Sequence, residues 1–159
     1  MSLLNALLCF AILGSGVTTG LLFIFSNTVM SALALQDERH GMEVMQAINR
    51  IIINPLFLLF FMGTGVAAVA ILVLSWSGGR SPLVMAGALT YLVGVLGLTF
   101  AYHIPRNDAL EAQDSASESG HAYWRRYRDE WTRWNHVRSF AGGLSTVLLS
   151  LGLLGVKPW

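Results

Sequence analysis

Residues 1–36 contain no Asp, Glu, Lys, Arg or His, and three further apolar runs follow at 51–76, 83–102 and 140–156. A hydrocarbon core of about 30 Å is crossed by about 20 apolar helical residues. Each run therefore has the length, or nearly the length, to span a bilayer with modest tilt. The pattern predicts an all-α fold, an integral membrane four-helix bundle forming one domain over 1–159, with spans at roughly 3–35, 51–76, 82–104 and 139–156. A cleaved leader would open with a basic region before a short apolar stretch. The first run lacks Lys and Arg, so it is expected to stay in the mature protein. Asn54-Pro55 and Ser81-Pro82 each place a side-chain oxygen at an N-cap with proline next, which marks starts for the second and third spans. Gly78-Gly79 between them predicts a tight antiparallel hairpin. Gly16 with Gly20, and Gly87, Gly94 and Gly97, are spaced for close helix packing within the bundle.

The polar residues gather in two segments, 36–50 and 105–138, which a four-span chain places on one side. They hold Arg39, Arg50, Arg106, Arg125, Arg126, Arg128, Arg133 and Arg138, against Arg80 and Lys157 on the other side, and this bias assigns them to the cytoplasm. The first segment reads as an interfacial helix from Glu43 to Asn54 running into the second span. Asn49 and Asn54 sit where water thins out and need partners, either as caps and interhelical hydrogen bonds or as substrate contacts. In the second segment Pro105 is expected to end the third span, and Asp108 with Glu111 fits a capping box for a short helix. A polar stretch, 114–119, then precedes a helix beginning near Gly120.

In that last helix, Trp124, Tyr127, Trp131 and Trp134 form one stripe, with Asn135 and Arg138 on or beside it. Arg125, Asp129, Arg133 and His136 take the opposite face, with Arg125–Asp129 and Asp129–Arg133 at salt-bridge spacing. Two readings fit the stripe: a belt at headgroup depth, or the aromatic wall of a pocket into which Asn135 and Arg138 also point. On the second reading His136 points elsewhere unless the helix bends.

Composition narrows the class. The chain is 54% hydrophobic and 12% charged with a net charge of +1, against about 25% charged residues in soluble domains, and its mean hydropathy is +0.58. These values argue against a soluble enzyme, and they exclude a disordered chain and nucleic acid as a partner. One cysteine, Cys9, excludes an intramolecular disulfide. His40, His103, His121 and His136 show no i,i+3 or i,i+4 pair, so no metal site is predicted from helical spacing. A transition metal held across helices by His103, His136 and Asp108 stays open as an alternative. The spans contain no internal charge to carry ions, which disfavours a transporter.

Three stretches together resemble the anthrone oxygenase-like family of small four-span membrane proteins. They are Met45-Gln46-Ala47-Ile48-Asn49, Ile104-Pro105-Arg106-Asn107-Asp108-Ala109-Leu110, and Trp131-Thr132-Arg133-Trp134-Asn135-His136-Val137-Arg138. The family's motif after the third span usually reads Asn-Val-Pro-Leu-Asn; Pro105 and Asn107 match it, while His103 and Arg106 depart from it and bear on substrate identity more than on fold. The resemblance implies oxidation of an apolar aromatic, anthrone-like substrate to a quinone by dioxygen, with no cofactor. Such chemistry needs a base, an oxyanion-stabilising group and a flat apolar slot. His136 is the first candidate base and His103 the second; Asn135, Asn107 and Arg138 would bind the developing oxyanion or peroxide. Trp131 and Trp134 would stack on the rings, with Tyr127, Asn49 and Asn54 as further substrate contacts. The expected partners are membrane lipid and the small aromatic substrate, and a homo-oligomer is compatible with the sequence. A non-enzymatic accessory or scaffold subunit, docking a partner or anionic headgroups through the aromatic–arginine helix, is the rival class.

Overall fold

The computed structural model describes residues 2–78 and 81–156. Among them every regular element is helical: α1 (Leu3–Ala34), α2 (Glu38–Ile51), α3 (Pro55–Gly78), α4 (Pro82–Glu111) and α5 (Glu118–Leu153). Gly79 of the expected hairpin turn, and Arg80 and Lys157 of the charge comparison, lie outside the described residues.

Side-chain caps start the helices. Ser2 accepts from the Asn5 amide, Asp37 from His40, Asn54 from Phe57, Ser81 from Leu83 and Ser117 from Gly120. Each supplies an oxygen to an amide that has no intrahelical acceptor. The Asp37 cap starts α2 at Glu38, earlier than the expected Glu43. The helix stops at Ile51, and α3 begins separately at Pro55.

Among the described residues three helices, α1, α3 and α4, are long and apolar enough to cross a membrane. The fourth apolar run forms the C-terminal part of α5, continuous with the aromatic–arginine helix. Large apolar side chains cover the outside of the bundle, among them Val17 and Phe23 on α1, Val66 and Val73 on α3, Val93 on α4, and Phe140 and Val147 on α5. The interior holds small or weakly polar residues such as Ala11, Ser15, Thr64, Ala68, Ala88 and Ser145. That inversion of the usual soluble pattern is what a lipid solvent selects.

α5 runs antiparallel to α1 and to α4. Asn135 meets Leu22, Ser15 donates to the Gly142 carbonyl at 3.0 Å, and Leu149 packs with Leu4 and Leu8. Along α4, Arg138 meets Thr99 and Ser145 donates to the Gly87 carbonyl at 2.8 Å. A Cβ on Gly94 would stand 2.5 Å from that of Ala141, and one on Gly14 only 1.9 Å from Thr64 Oγ1. Gly16 and Gly20, in contrast, have nothing within 4 Å of a built Cβ, so the packing expected of that pair is not seen.

Three π-helical segments interrupt the spans: Phe25–Val29 in α1, and Tyr91–Gly97 and Thr99–His103 in α4. The last explains why Pro105 does not end the third span. The wider turn just before it relieves the clash a proline ring makes with the preceding turn and leaves its missing N–H without consequence. The helix therefore runs on to Glu111, and Asp108 sits within it on the surface, where no free N-terminus exists for the expected capping box.

The polar segments fold into a cap over one end of the bundle. Gln46 donates from α2 to the Leu110 and Gln113 carbonyls, and Arg50 pairs with Glu111. Arg125 pairs with Glu38 and Glu118, and Asp129 with Arg128, in place of the expected i,i+4 pairs along α5. Gly120 is the tightest point of this cap, because a Cβ there would lie 2.1 Å from the Asp114 carbonyl oxygen. Gly120→Ala is expected to destabilise the protein by about 1–3 kcal/mol through overpacking against backbone. Gly16→Ala, in open space, should be neutral or slightly stabilising. Thermal unfolding of both variants in detergent checks the contrast.

Candidate functional site

Where the cap meets the spans lies a cavity of about 280 Å³, close to the lower end of small-molecule sites. Its walls are apolar, with Leu21, Phe25, Met45, Phe57 and Phe61 among them, and Trp131 forms one side. Five polar residues reach it: Asn49 from α2, Thr99, His103 and Asn107 from α4, and Arg138 from α5.

The π segments set two of these in place. In α1 the widened turn leaves the Leu22 carbonyl available, and Asn135 Nδ2 donates to it at 2.6 Å and to Ser26 Oγ at 2.5 Å. Asn135 Oδ1 then accepts from Arg138 Nη2 at 2.5 Å, while Arg138 Nη1 donates to Thr99 Oγ1 at 2.9 Å. Thr99 Oγ1 in turn donates to the Val95 carbonyl. Arg138 is 5% exposed, forms no ion pair among the described residues, and keeps its Nε without a partner. Its guanidinium carbon lies 5.4 Å from the Trp131 ring centroid. A buried cation held only by neutral oxygens is costly unless an anion joins it.

His103 lies on the same wall, 1% exposed, with both ring nitrogens free of hydrogen bonds. The Trp134 backbone approaches it without reaching hydrogen-bond geometry. Its imidazole stands edge-on to Trp131, centroids 5.1 Å apart at 85°, and edge-on to Tyr102. Asn107 Oδ1 accepts from Tyr127 Oη at 2.8 Å and from Trp131 Nε1 at 3.0 Å. Because the indole N–H only donates, this pair fixes which amide atom is oxygen. Burial pushes the Tyr127 phenol up, so it stays protonated as the donor. Asn49 Nδ2 is buried without a hydrogen bond.

Of the aromatic stripe, Trp124, Tyr127 and Trp131 are buried inside the protein; Trp131 lines the cavity, while Trp124 and Tyr127 pack in the core of the cap. Of the residues expected at the site, His103, Asn107, Trp131, Arg138 and Asn49 line the cavity. Tyr127 and Asn135 stand behind it and hold Asn107 and Arg138. Three others correct the sequence expectation. His136 is exposed on another side of α5, because one residue beyond Asn135 is a 100° turn and the α-helix is uninterrupted there. Trp134, 41% exposed, lies outside the cavity with its ring tilted at 41° against Tyr102, centroids 5.0 Å apart. Asn54 spends its side chain on the α3 cap and on the Ile51 and Ile52 carbonyls. His103, His136 and Asp108 are not brought together, and no group of three His, Cys, Asp or Glu suited to a metal occurs among the described residues. Sequence reasoning missed Thr99 and Ser26, whose only signal was a hydroxyl inside an apolar span.

A family model for anthrone oxygenase matches residues 52–148. The chain belongs to the anthrone oxygenase family. The match contains α3, α4 and most of α5, and with them Thr99, His103, Asn107, Trp131, Asn135 and Arg138 of the candidate site. It begins after Asn49. None of the curated proteins and none of the solved structures matches the chain.

Proposed function

We propose that this anthrone oxygenase-family protein is a membrane-bound oxygenase that oxidises an apolar, anthrone-like aromatic to a quinone with dioxygen and without a cofactor. One observation carries the reading: a buried imidazole with both nitrogens free faces the same small apolar cavity as a buried guanidinium with no counter-ion among the described residues. His103 takes a proton from the ring CH₂ of the substrate, and Arg138 stabilises the phenolate that forms. The delocalised anion passes one electron to dioxygen, and the two radicals combine at the ring carbon. The peroxide anion so formed takes back the proton from His103, and loss of water from the hydroperoxide leaves the carbonyl, so one substrate and one dioxygen give one quinone and one water. Asn107 and Asn49 are placed to donate to the substrate oxygens, and Trp131 to pack against the rings.

The same reading takes α5 through the bilayer as a fourth crossing, with the polar cap on the cytoplasmic side. A helix of 36 residues is ~54 Å long, enough for the cap and a crossing together. Its residues beyond Arg138 run beside α1 and α4 to their far ends. The test is oxygen uptake by purified protein with a model anthrone, with and without prior chelation. Uptake above the spontaneous rate that survives chelation is the expected result. Uptake lost on chelation would assign the reaction to a metal, and none at all would leave a non-catalytic membrane subunit as the reading.

A further inference from the structure

The residues that line the cavity differ sharply in exposure. His103 and Arg138 lie deep, whereas Leu58 and Met62 on α3 are 38% and 37% exposed, and Phe100 and Ile104 on α4 are 52% and 38% exposed. Each pair is four residues apart, so each forms the edge of one helix face. α3 packs on the Pro82–Gly97 part of α4 and makes at most passing contact with Thr99–Glu111. The two helices therefore part at the level of the cavity, and the rim of the gap is wholly apolar. On the water side the cavity is roofed. α2 lies across it, latched to α4 by Gln46 on the Leu110 and Gln113 carbonyls and by Arg50 on Glu111.

We propose that the cavity is filled sideways from the hydrocarbon core, through the cleft between α3 and Thr99–Ile104, by a planar aromatic bearing phenolic or keto oxygens. The proposal rests on the functional reading for the ligand's class but concerns its route. An apolar ring system partitions into the bilayer and slides past Leu58, Met62, Phe100 and Ile104 without meeting a charge. Only at the end of that path do its oxygens reach His103 and Arg138. The route spares the latched cap from opening and keeps bulk water away from the buried guanidinium.

Two probes in proteoliposomes test it: anthraquinone, and anthraquinone carrying a hexadecyl tail that cannot leave the membrane. Quenching of tryptophan fluorescence, with Trp131 on the cavity wall, reports occupancy. A side cleft lets the tail hang in lipid, so both probes should quench with affinities within about threefold of each other. Leu58→Phe with Ile104→Phe should slow quenching by about fivefold, while Val66→Phe, adding equal bulk on the lipid face of α3 away from the cavity, should not. Quenching by the tail-free probe alone, or rates indifferent to the rim substitutions, would overturn the proposal. Oxygen uptake with quenching by neither probe would overturn it while sparing the functional reading. Quenching by the tailed probe without oxygen uptake would do the reverse.

Discussion

His103→Gln should lower the dioxygen-dependent turnover of an anthrone by about 10²–10⁴-fold, the usual worth of a positioned general base. Glutamine keeps a polar, similarly sized side chain on the cavity wall but cannot accept a proton near neutral pH. His136→Gln should leave turnover at the wild-type level, because His136 is exposed on another side of α5. The pair separates the two histidines that the sequence alone left in competition. The measurement is initial oxygen uptake at saturating substrate, with the fold of each variant checked by far-UV circular dichroism and unfolding temperature. Retained activity in His103→Gln with loss in His136→Gln would remove His103 from the mechanism and require α5 to rotate during turnover.

Asn135→Ala should cost about 3 kcal/mol of stability, since it removes hydrogen bonds to a charged partner and leaves buried groups unsatisfied. Asn135 is fully buried and serves both neighbours at once, donating to the Leu22 carbonyl and Ser26 and accepting from Arg138. Without it the Leu22 carbonyl loses its shortest side-chain donor and keeps the Ser26 hydroxyl at 3.3 Å, and the guanidinium loses an acceptor. Asn135→Asp makes the informative comparison. It keeps an acceptor for Arg138, and the Ser26 hydroxyl can donate back to it. The new carboxylate also cancels the positive charge that the mechanism uses. Stability nearer wild type with turnover reduced at least as far as in Asn135→Ala is the expected outcome, read by equilibrium unfolding in detergent beside oxygen uptake. Wild-type turnover in Asn135→Asp would mean that the charge of Arg138 plays no part in the reaction.

Much of this could be read along the chain because lipid imposes a simple rule on it. The three longest apolar runs became the three helices fit to cross a membrane, and capping residues at Asn54 and Ser81 marked their starts. The fourth run came out as part of a longer helix, since neither proline nor glycine lies between Trp124 and Phe140. Pro105 misled because local rules assume an ordinary α-helix, and a π turn before a proline removes the clash on which they rest.

The site was legible as a stripe and not as a set of roles. Helical periodicity alone put Trp131, Asn135 and Arg138 on one face and His136 on another. Periodicity within one helix carries no information about which other helices meet that face. The sequence by itself determined the apolar runs, most of the helices they form, and which residues of α5 share a face. Only the tertiary structure decided that His103 of α4 stands edge-on to Trp131 with both nitrogens free, that Thr99 and Ser26 complete the hold on Arg138 and Asn135, and that Trp134 faces outward. Those are contacts between residues 28 to 109 positions apart, set by how deeply small residues such as Gly14 and Gly94 let the helices approach and by where π turns shift the register.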